Sequence, residues 1–405
     1  MAKTVARGSP PRVALLIETS LSSGQDILLG IGQYLRERGP WSVYAQPHDL
    51  SQPPPRWFRN WNGDGIIGRL QNDAIANAVA AKCVPAVDVL GVCRRPGIPL
   101  VHVDNRGIAE MAAEHLLDRG FTHFAYFGLT DEYWAAERQR AFVACLADKG
   151  HAVDVLAVSR AAFEKTSWEA LVSRVARWVG TLPLPVGLML CSDVQGLLLQ
   201  EACREAGRTV GESVALLGVG NDRTLCEMSN PPLSSVEANH VAVGYEAAAL
   251  LDRLMRGARA PAPPVLIKPW FVGIRESTDF LAVGDAAVAR ALRFVRDHCA
   301  EPVRLDAAAR HAGVSRSVLQ RRFRTLLNRT VHDELVDARV HKALELLRRT
   351  DLPIDDVAEK CGFGFAQNMS RVFRRRLGQT PKRYRRRPLE PAVPAPHAAA
   401  QRRGT

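Results

Sequence analysis

Polar residues stand at the ends of several short apolar runs in this chain: Glu18-Thr19-Ser20, Asp104-Asn105, Ser192-Asp193 and Asn221-Asp222. The segment Trp134-Ala-Ala-Glu-Arg138 adds a flat indole and a guanidinium one helical turn apart. Carboxylates, amides and a guanidinium beside an indole have the chemistry that holds a sugar. The C–H face of the ring stacks on the aromatic, and the hydroxyls are gripped by planar polar groups. The same short polar residues are also the commonest helix N-caps, so Asp104, Asp193 and Asn221 have a purely structural alternative.

A second chemistry lies near the C-terminus. In Ser315–Arg324, Leu319 and Phe323 face inward while Arg316, Ser317, Gln320, Arg321 and Arg324 face outward. In Ala366–Leu377, Met369, Phe373 and Leu377 face inward, and Gln367, Ser370, Arg371, Arg374 and Arg375 outward. Gln and Arg hydrogen-bond adenine and guanine edges in the major groove. The run Lys382-Arg383-Tyr384-Arg385-Arg386-Arg387 suits phosphates.

Enzyme chemistry has no comparable footprint. Gly30-Ile-Gly32 lies in a helical pattern and lacks the third glycine of a dinucleotide loop. No GxSxG, HExxH or cluster of His, Asp and Cys is present, so no catalytic residue, cofactor or metal is expected. The eight cysteines form no CxxC pair and read as buried thiols in a reducing compartment.

The elements that must position these groups fall into two blocks. Short apolar runs at Val13–Ile17, Ser42–Gln46, Gly65–Gly68, Pro85–Leu90, Leu100–Val103, His123–Gly128, Val153–Val158, Gly187–Cys191, Val214–Val219 and Leu233–Val236 read as strands. Amphipathic stretches such as Ile27–Arg38, Ile108–Arg119, Ala135–Lys149, Glu169–Thr181 and Gly196–Ala206 separate them. Strands buried on both faces, with helices between, predict α/β parallel sheets, and ligands then sit beyond the carboxyl ends of the strands.

After GARAPAPP (Gly257–Pro264) and a last apolar segment, Val265–Val272, the chain reads as all helix. Val288, Leu292, Val295 and Cys299 make one face. An internal repeat follows. Leu305, Ala309, Ala312 and Gly313 match Ile354, Ala358, Cys361 and Gly362 at an offset of 49, and Leu319 and Phe323 match Met369 and Phe373 at 50. Each copy spells helix, glycine turn, helix, so the outward Gln and Arg residues fall on the second helix of a helix-turn-helix.

Charge divides the chain in the same place. From Ala286 onward there are 26 Lys and Arg against 12 Asp and Glu, while the first 285 residues hold 28 and 30. The surplus of +12 over 405 residues thus belongs to the helical block, which points to a polyanionic partner. The reading is a disordered N-terminus at 1–11, an α/β domain with sugar-binding chemistry and room for two sheets at 12–278, a linker at 279–285, a double helix-turn-helix domain at 286–387 and a disordered tail at 388–405. No apolar run is long enough to span a bilayer, and the N-terminus lacks a cleavage signal, so no membrane partner and a cytoplasmic location are expected.

The run DNRGIAEMAAEHLLDRGFTHFAYFG (Asp104–Gly128), with ERQRAF (Glu137–Phe142) and LLGVGND (Leu216–Asp222), resembles the effector domains of lactose-repressor-type regulators, which are similar to periplasmic sugar-binding proteins. DLPIDDVAEKCGFGFAQNMSRVFRRRLGQTPKRYRR (Asp351–Arg386) resembles the DNA-binding domain of the arabinose-regulator (AraC/XylS) family. The order of the two, and the join RESTDFLAV (Arg275–Val283), look like the xylose-operon regulators.

That resemblance implies a transcription activator that binds D-xylose between two α/β lobes of its effector domain and double-stranded DNA through the C-terminal domain. It further implies a homodimer and RNA polymerase as a partner. It casts Trp134 and Arg138 as sugar-binding residues with Arg138 as the clamp, and joins to them Asp193 and Asn221; Glu18, from its place after the first strand, and Gln25 complete the expected ligand-binding set. The sequence departs from the family pattern at Gly220, where Asp is usual, and at Gln25, where a strong donor such as Arg is expected. Those departures leave another aldose, a polyol or a non-sugar metabolite as the alternative effector.

Overall fold

A computed structural model describes residues 10–47, 53–279, 285–327 and 329–386. Most of the linker predicted at 279–285, most of the N-terminal segment at 1–11 and the whole tail at 388–405 lie outside the described residues.

The first lobe holds strands β1 (Arg12–Leu16), β2 (Ser42–Ala45), β3 (Gly65–Gly68) and β4 (Ala86–Asp88), alternating with helices α1 (Ser22–Arg38), α2 (Arg56–Asn60) and α3 (Asp73–Ala80). Its sheet is parallel, in the order β2-β1-β3-β4. Val13 to Leu16 and Gly65 to Gly68 are buried throughout, as expected of strands covered by helices on both faces.

The chain then crosses over through β5 (Val101–Val103) and α4 (Asn105–Leu117). The second lobe follows with β6 (His123–Leu129), α5 (Tyr133–Ala147), β7 (Val153–Val158), α6 (Arg160–Lys165), α7 (Trp168–Thr181), β8 (Val186–Leu190), α8 (Gly196–Glu205), β9 (Val214–Val219), α9 (Arg223–Met228) and β10 (Ser234–Val236). Helix α10 (His240–Met255) returns to the first lobe, β11 (Val265–Ile267) pairs with β5, and β12 (Val272–Gly273) closes the second sheet antiparallel to β10. That sheet runs β12-β10-β9-β8-β6-β7.

Two glycines explain how α10 reaches α1. A Cβ on Gly30 would sit 1.9 Å from the Val241 carbonyl oxygen, and one on Gly244 would sit 1.9 Å from that of Ile27. The helices therefore cross backbone against backbone, and no larger residue fits at either position. This contact is the structural use of the Gly30-Ile-Gly32 pattern.

The C-terminal block contains α11 (Ala286–Asp297), α12 (Leu305–Ala312), α13 (Arg316–Leu327), α14 (Val331–Arg349), α15 (Ile354–Lys360), α16 (Ala366–Leu377) and α17 (Pro381–Arg386). Gly313 (φ +71°) and Gly362 (φ +78°) occupy the left-handed turns after α12 and α15, where glycine carries no Cβ penalty. Two small cores result. One gathers Val288, Leu292, Leu319 and Phe323; the other gathers Ala343, Leu347, Met369 and Phe373. Trp270 and Phe271 of the preceding domain pack against the second core only.

Candidate effector cleft and DNA-reading surface

A cavity of about 650 Å³ opens between the lobes. The first lobe contributes Ser22, Ser23 and Arg69; the second contributes Trp134, Arg138 and Asp193. Both sets follow the carboxyl ends of strands, where an α/β sheet leaves its ligand site.

Arg138 is the most constrained of these groups. Its side chain is buried, donating from Nε to Asn105 Oδ1 at 2.9 Å and from Nη1 to the Cys191 carbonyl at 2.6 Å. The guanidinium carbon sits 4.8 Å from the Trp134 ring centroid, a cation–π geometry that keeps indole and guanidinium together. The indole is fixed from its other side by Nε1 donating to Glu132 Oε2 at 2.8 Å. Arg160 also donates to Glu132, so the rim of the cleft is an interlocked set rather than loose side chains.

Asp193 is buried, accepting from Ser235 Oγ at 2.6 Å and from the Asp222 backbone N–H at 2.8 Å. Burial pushes its pKa up to about 6, against these hydrogen bonds. It caps no helix; Ser192 and Asp222 take the neighbouring caps. Asp104 is an N-cap, accepting from Gly107 N–H at 3.0 Å.

The remaining sugar-site expectations are placed as follows. Glu18 is fully buried and forms an ion pair with Arg69, so it stands behind the cavity wall and holds the guanidinium that lines it. Gln25 is exposed, donates to the Thr19 carbonyl at 2.9 Å and lies outside the lining. It sits on the first turn of α1, whose cavity-facing positions are Ser22 and Ser23. Asn221 is also absent from the lining. With φ +53° it turns its amide toward Arg275 and Glu237, and the cavity receives Gly220 and Asp222 instead.

Sequence reading missed Arg69, Glu132, Arg160 and His102 as cleft residues. His102 is buried, its Nδ1 is 3.3 Å from the Val89 carbonyl, and its Nε2 has no hydrogen-bond partner among the described residues. Burial and the nearby Arg138 and Arg69 push its pKa down to about 3, so the ring stays neutral.

On the helical block, Leu319 and Phe323 are buried in α13, and Met369 and Phe373 in α16. Arg316, Ser317, Gln320, Arg321 and Arg324 are exposed on the first helix, as are Gln367, Arg371, Arg374 and Arg375 on the second. Ser370 is half-buried. The two helices thus present equivalent polar faces, and Phe365, 70% exposed, adds an apolar group at the start of α16.

Known proteins carry the same arrangement. A periplasmic binding protein-like domain matches residues 113–278, and a helix-turn-helix domain matches residues 308–387. The xylose operon regulatory proteins of Haemophilus influenzae and Escherichia coli K12 are 28% and 29% identical to this chain over 382 residues. The match covers 92% of the chain and 98% and 96% of those proteins. The regulatory protein SoxS of Escherichia coli K12 is 38% identical over 96 residues, which is 24% of the chain and 90% of that protein. This chain belongs to the arabinose-regulator family of transcription regulators.

Within that family its plan is that of the xylose operon regulators, a sugar-responsive effector domain ahead of the DNA-binding domain. The structure of the xylose-binding transcription activator XylR superposes with a TM-score of 0.61 at 28% identity, covering 93% of this regulator and 98% of that chain. The transcriptional regulator CelR in complex with cellobiose shares the effector fold, with a TM-score of 0.52 at 23% identity over 66% of this regulator and 85% of that chain. At Gly220 the regulator has φ +125°, and an added Cβ would lie 3.2 Å from Asp193 Oδ2. A carboxylate there would be strained and would face a second carboxylate.

Proposed function

We propose that this regulator is a D-xylose-responsive activator that binds the sugar between its lobes and carries out no chemical step on it. Residues 12–278 form the sugar-binding unit and 286–387 the DNA-binding unit, in a cytoplasmic homodimer that engages RNA polymerase at its promoters. Trp134 offers a stacking face, Arg138 the central donor and Asp193 an acceptor, with Glu18 setting Arg69 from behind. Gln320 and Arg321 of α13 and Gln367 and Arg371 of α16 read base edges, flanked by Arg316, Ser317, Arg324, Ser370 and Arg374.

The observation that carries this reading is the inter-lobe cavity of about 650 Å³ walled by the Trp134–Arg138 pair and the buried Asp193. Relatives aligned over 92% of the chain are xylose operon regulators. Among the described residues no helix is long and apolar enough to cross a membrane.

The deciding experiment is a melting curve of the full chain against a panel of pentoses and hexoses. A sugar at a hundred times its dissociation constant adds ~2.7 kcal/mol of folded-state stability. A shift with D-xylose and with no other sugar supports the reading. A shift with a different aldose or a polyol keeps the regulator and moves the effector, a second reading favoured by Gly220, where the backbone disfavours the usual carboxylate.

A further inference from the structure

Helix α4 begins at the sugar cleft and ends at the DNA-binding domain. Its first residue, Asn105, accepts from Arg138 Nε at 2.9 Å and donates to Glu137 Oε2 at 2.8 Å. Ten residues later, about 15 Å along the axis, the helix presents His115 to the other side of the molecule, and Arg119 follows just past its last residue, Leu117. His115 Nε2 meets Thr278 Oγ1 at 2.9 Å, and Arg119 donates from Nε to the Thr278 carbonyl at 2.6 Å. Arg119 Nη1 and His115 Nδ1 are 3.1 Å apart, so the two side chains grip Thr278 together.

From that point a chain of ion pairs continues into the helical block. Asp279 pairs with Arg296 of α11, and Arg296 lies 3.6 Å from Glu334 of α14. Glu334 also meets Arg329 at 3.1 Å, and Arg329 meets Asp337 at 3.4 Å. Asp337 and Asp333 both pair with Arg376, at 3.2 and 3.3 Å, and Arg376 belongs to α16. The Arg296 and Glu334 side chains are only 17% and 11% exposed, so neither charge can find water if its partner moves away.

We propose that α4 and the Asp279–Arg296–Glu334–Arg329–Asp337–Arg376 network couple the sugar cleft to the second DNA-reading helix, with Arg119, Arg296 and Arg376 as positioning residues. The inference rests on the sugar reading given above and deepens it by naming how the site is regulated. Two features favour this route over the apolar contact at Trp270 and Phe271. Apolar packing is non-directional, whereas paired buried charges and forked guanidiniums admit few registers. The network also ends in ion pairs to Arg376 of α16, beside the exposed Arg371, Arg374 and Arg375, while the ring contacts of Trp270 and Phe271 are to Tyr384 of α17 and His341 of α14.

Coupling between two binding sites is reciprocal: if sugar alters DNA affinity by some factor, DNA alters sugar affinity by the same factor. The test uses the full chain and a duplex that the parent protein selects from a random-sequence pool. Titration calorimetry gives the D-xylose dissociation constant with and without saturating duplex. The parent is expected to show a change within the usual span of about five- to 150-fold. Arg296→Met and Arg376→Met should bring that factor toward one, while D-xylose and duplex each bind the free variants within about threefold of the parent. Arg376→Lys should restore part of it.

Arg376, half-exposed, keeps the test alive if Arg296→Met fails to fold. An unchanged factor in the folded variants overturns the coupling route, as does a parent that binds sugar and duplex with no mutual effect. A parent that binds no sugar in the panel overturns the sugar reading and this inference with it.

Discussion

Asp193 and Arg138 show what single residues contribute to the cleft. With the Asp193 pKa pushed up to about 6 by burial, the carboxylate takes up a proton within an accessible pH range. Arg275 opposes that shift and Asp222 adds to it. Sugar affinity measured by calorimetry should fall as the pH drops through about 6, where the acceptor turns into an acid, and Asp193→Asn should flatten the profile. The stability linkage has its own sign. Because the folded-state pKa is raised, the protonated group stabilises the fold below pH 3.8, and that contribution is lost as the pH rises through about 6.

Arg138→Ala removes the central donor and leaves Asn105 and the Cys191 carbonyl without it. A charged hydrogen bond of this kind is worth ~1.5–3 kcal/mol, so a sugar-induced melting shift should disappear at concentrations that saturate the parent. Trp134 and Arg138 were legible because both lie in one short motif at helical spacing. Arg69, Glu132 and Arg160 were not, because their partners stand 51 and 28 residues away and only folding brings them together. Gln25 and Asn221 show the limit of strand-end reasoning, since an exposed helix position and a positive φ turned their side chains away from the cavity.

Secondary-structure elements carried most of the legible signal. The strands buried on both faces read as continuous apolar runs, and the structure places them within a residue or two of the expected ends. Asp104, Asn72, Ser167 and Asp222 cap their helices with side-chain oxygens, as their types suggest. The crossing of α1 over α10 was not legible, because nothing local in either helix marks Gly30 or Gly244 as a contact. Replacing either with Ala should lower stability by ~1–3 kcal/mol, the usual cost of overpacking, measurable by urea denaturation. On α13, Arg321→Ala should change preference at one or two base pairs by ~1–3 kcal/mol when tested against a panel of duplexes. A uniform loss across all sequences would place Arg321 on a phosphate.

At the scale of the whole molecule, the seam between the effector and DNA-binding domains is polar and buried. It holds two neutral histidines. His341 is pushed down to about 4, by burial first and then by Arg296, while burial and Arg119 hold His115 well below its ordinary value. A folded-state pKa below the ordinary 6.5 means that the contribution is whole above pH 6.5 and is lost as the pH falls toward 4. Protection factors along α14, corrected for the intrinsic pH dependence of amide exchange, should therefore fall over that interval before those of the lobes. The charge split was readable from composition, and the helix-turn-helix match at residues 308–387 falls within the basic half. The seam was not, since Arg119, Thr278, Arg296 and Glu334 are unremarkable until the fold assembles them.

The repeat of α12–α13 by α15–α16 has one further consequence. The copies follow each other along one chain and are not alike: at the offset of 50, Arg321 and Arg324 recur as Arg371 and Arg374, but Arg316, Ser317 and Gln320 of α13 stand where α16 has Ala366, Gln367 and Ser370. Among the described residues, it is the core of the second copy that packs against Trp270 and Phe271 of the effector domain. A single protomer therefore reads a sequence with a head and a tail. Turning its site end for end on a promoter exchanges which flank the effector domain occupies, so the orientation of the site, and not its sequence alone, carries regulatory information.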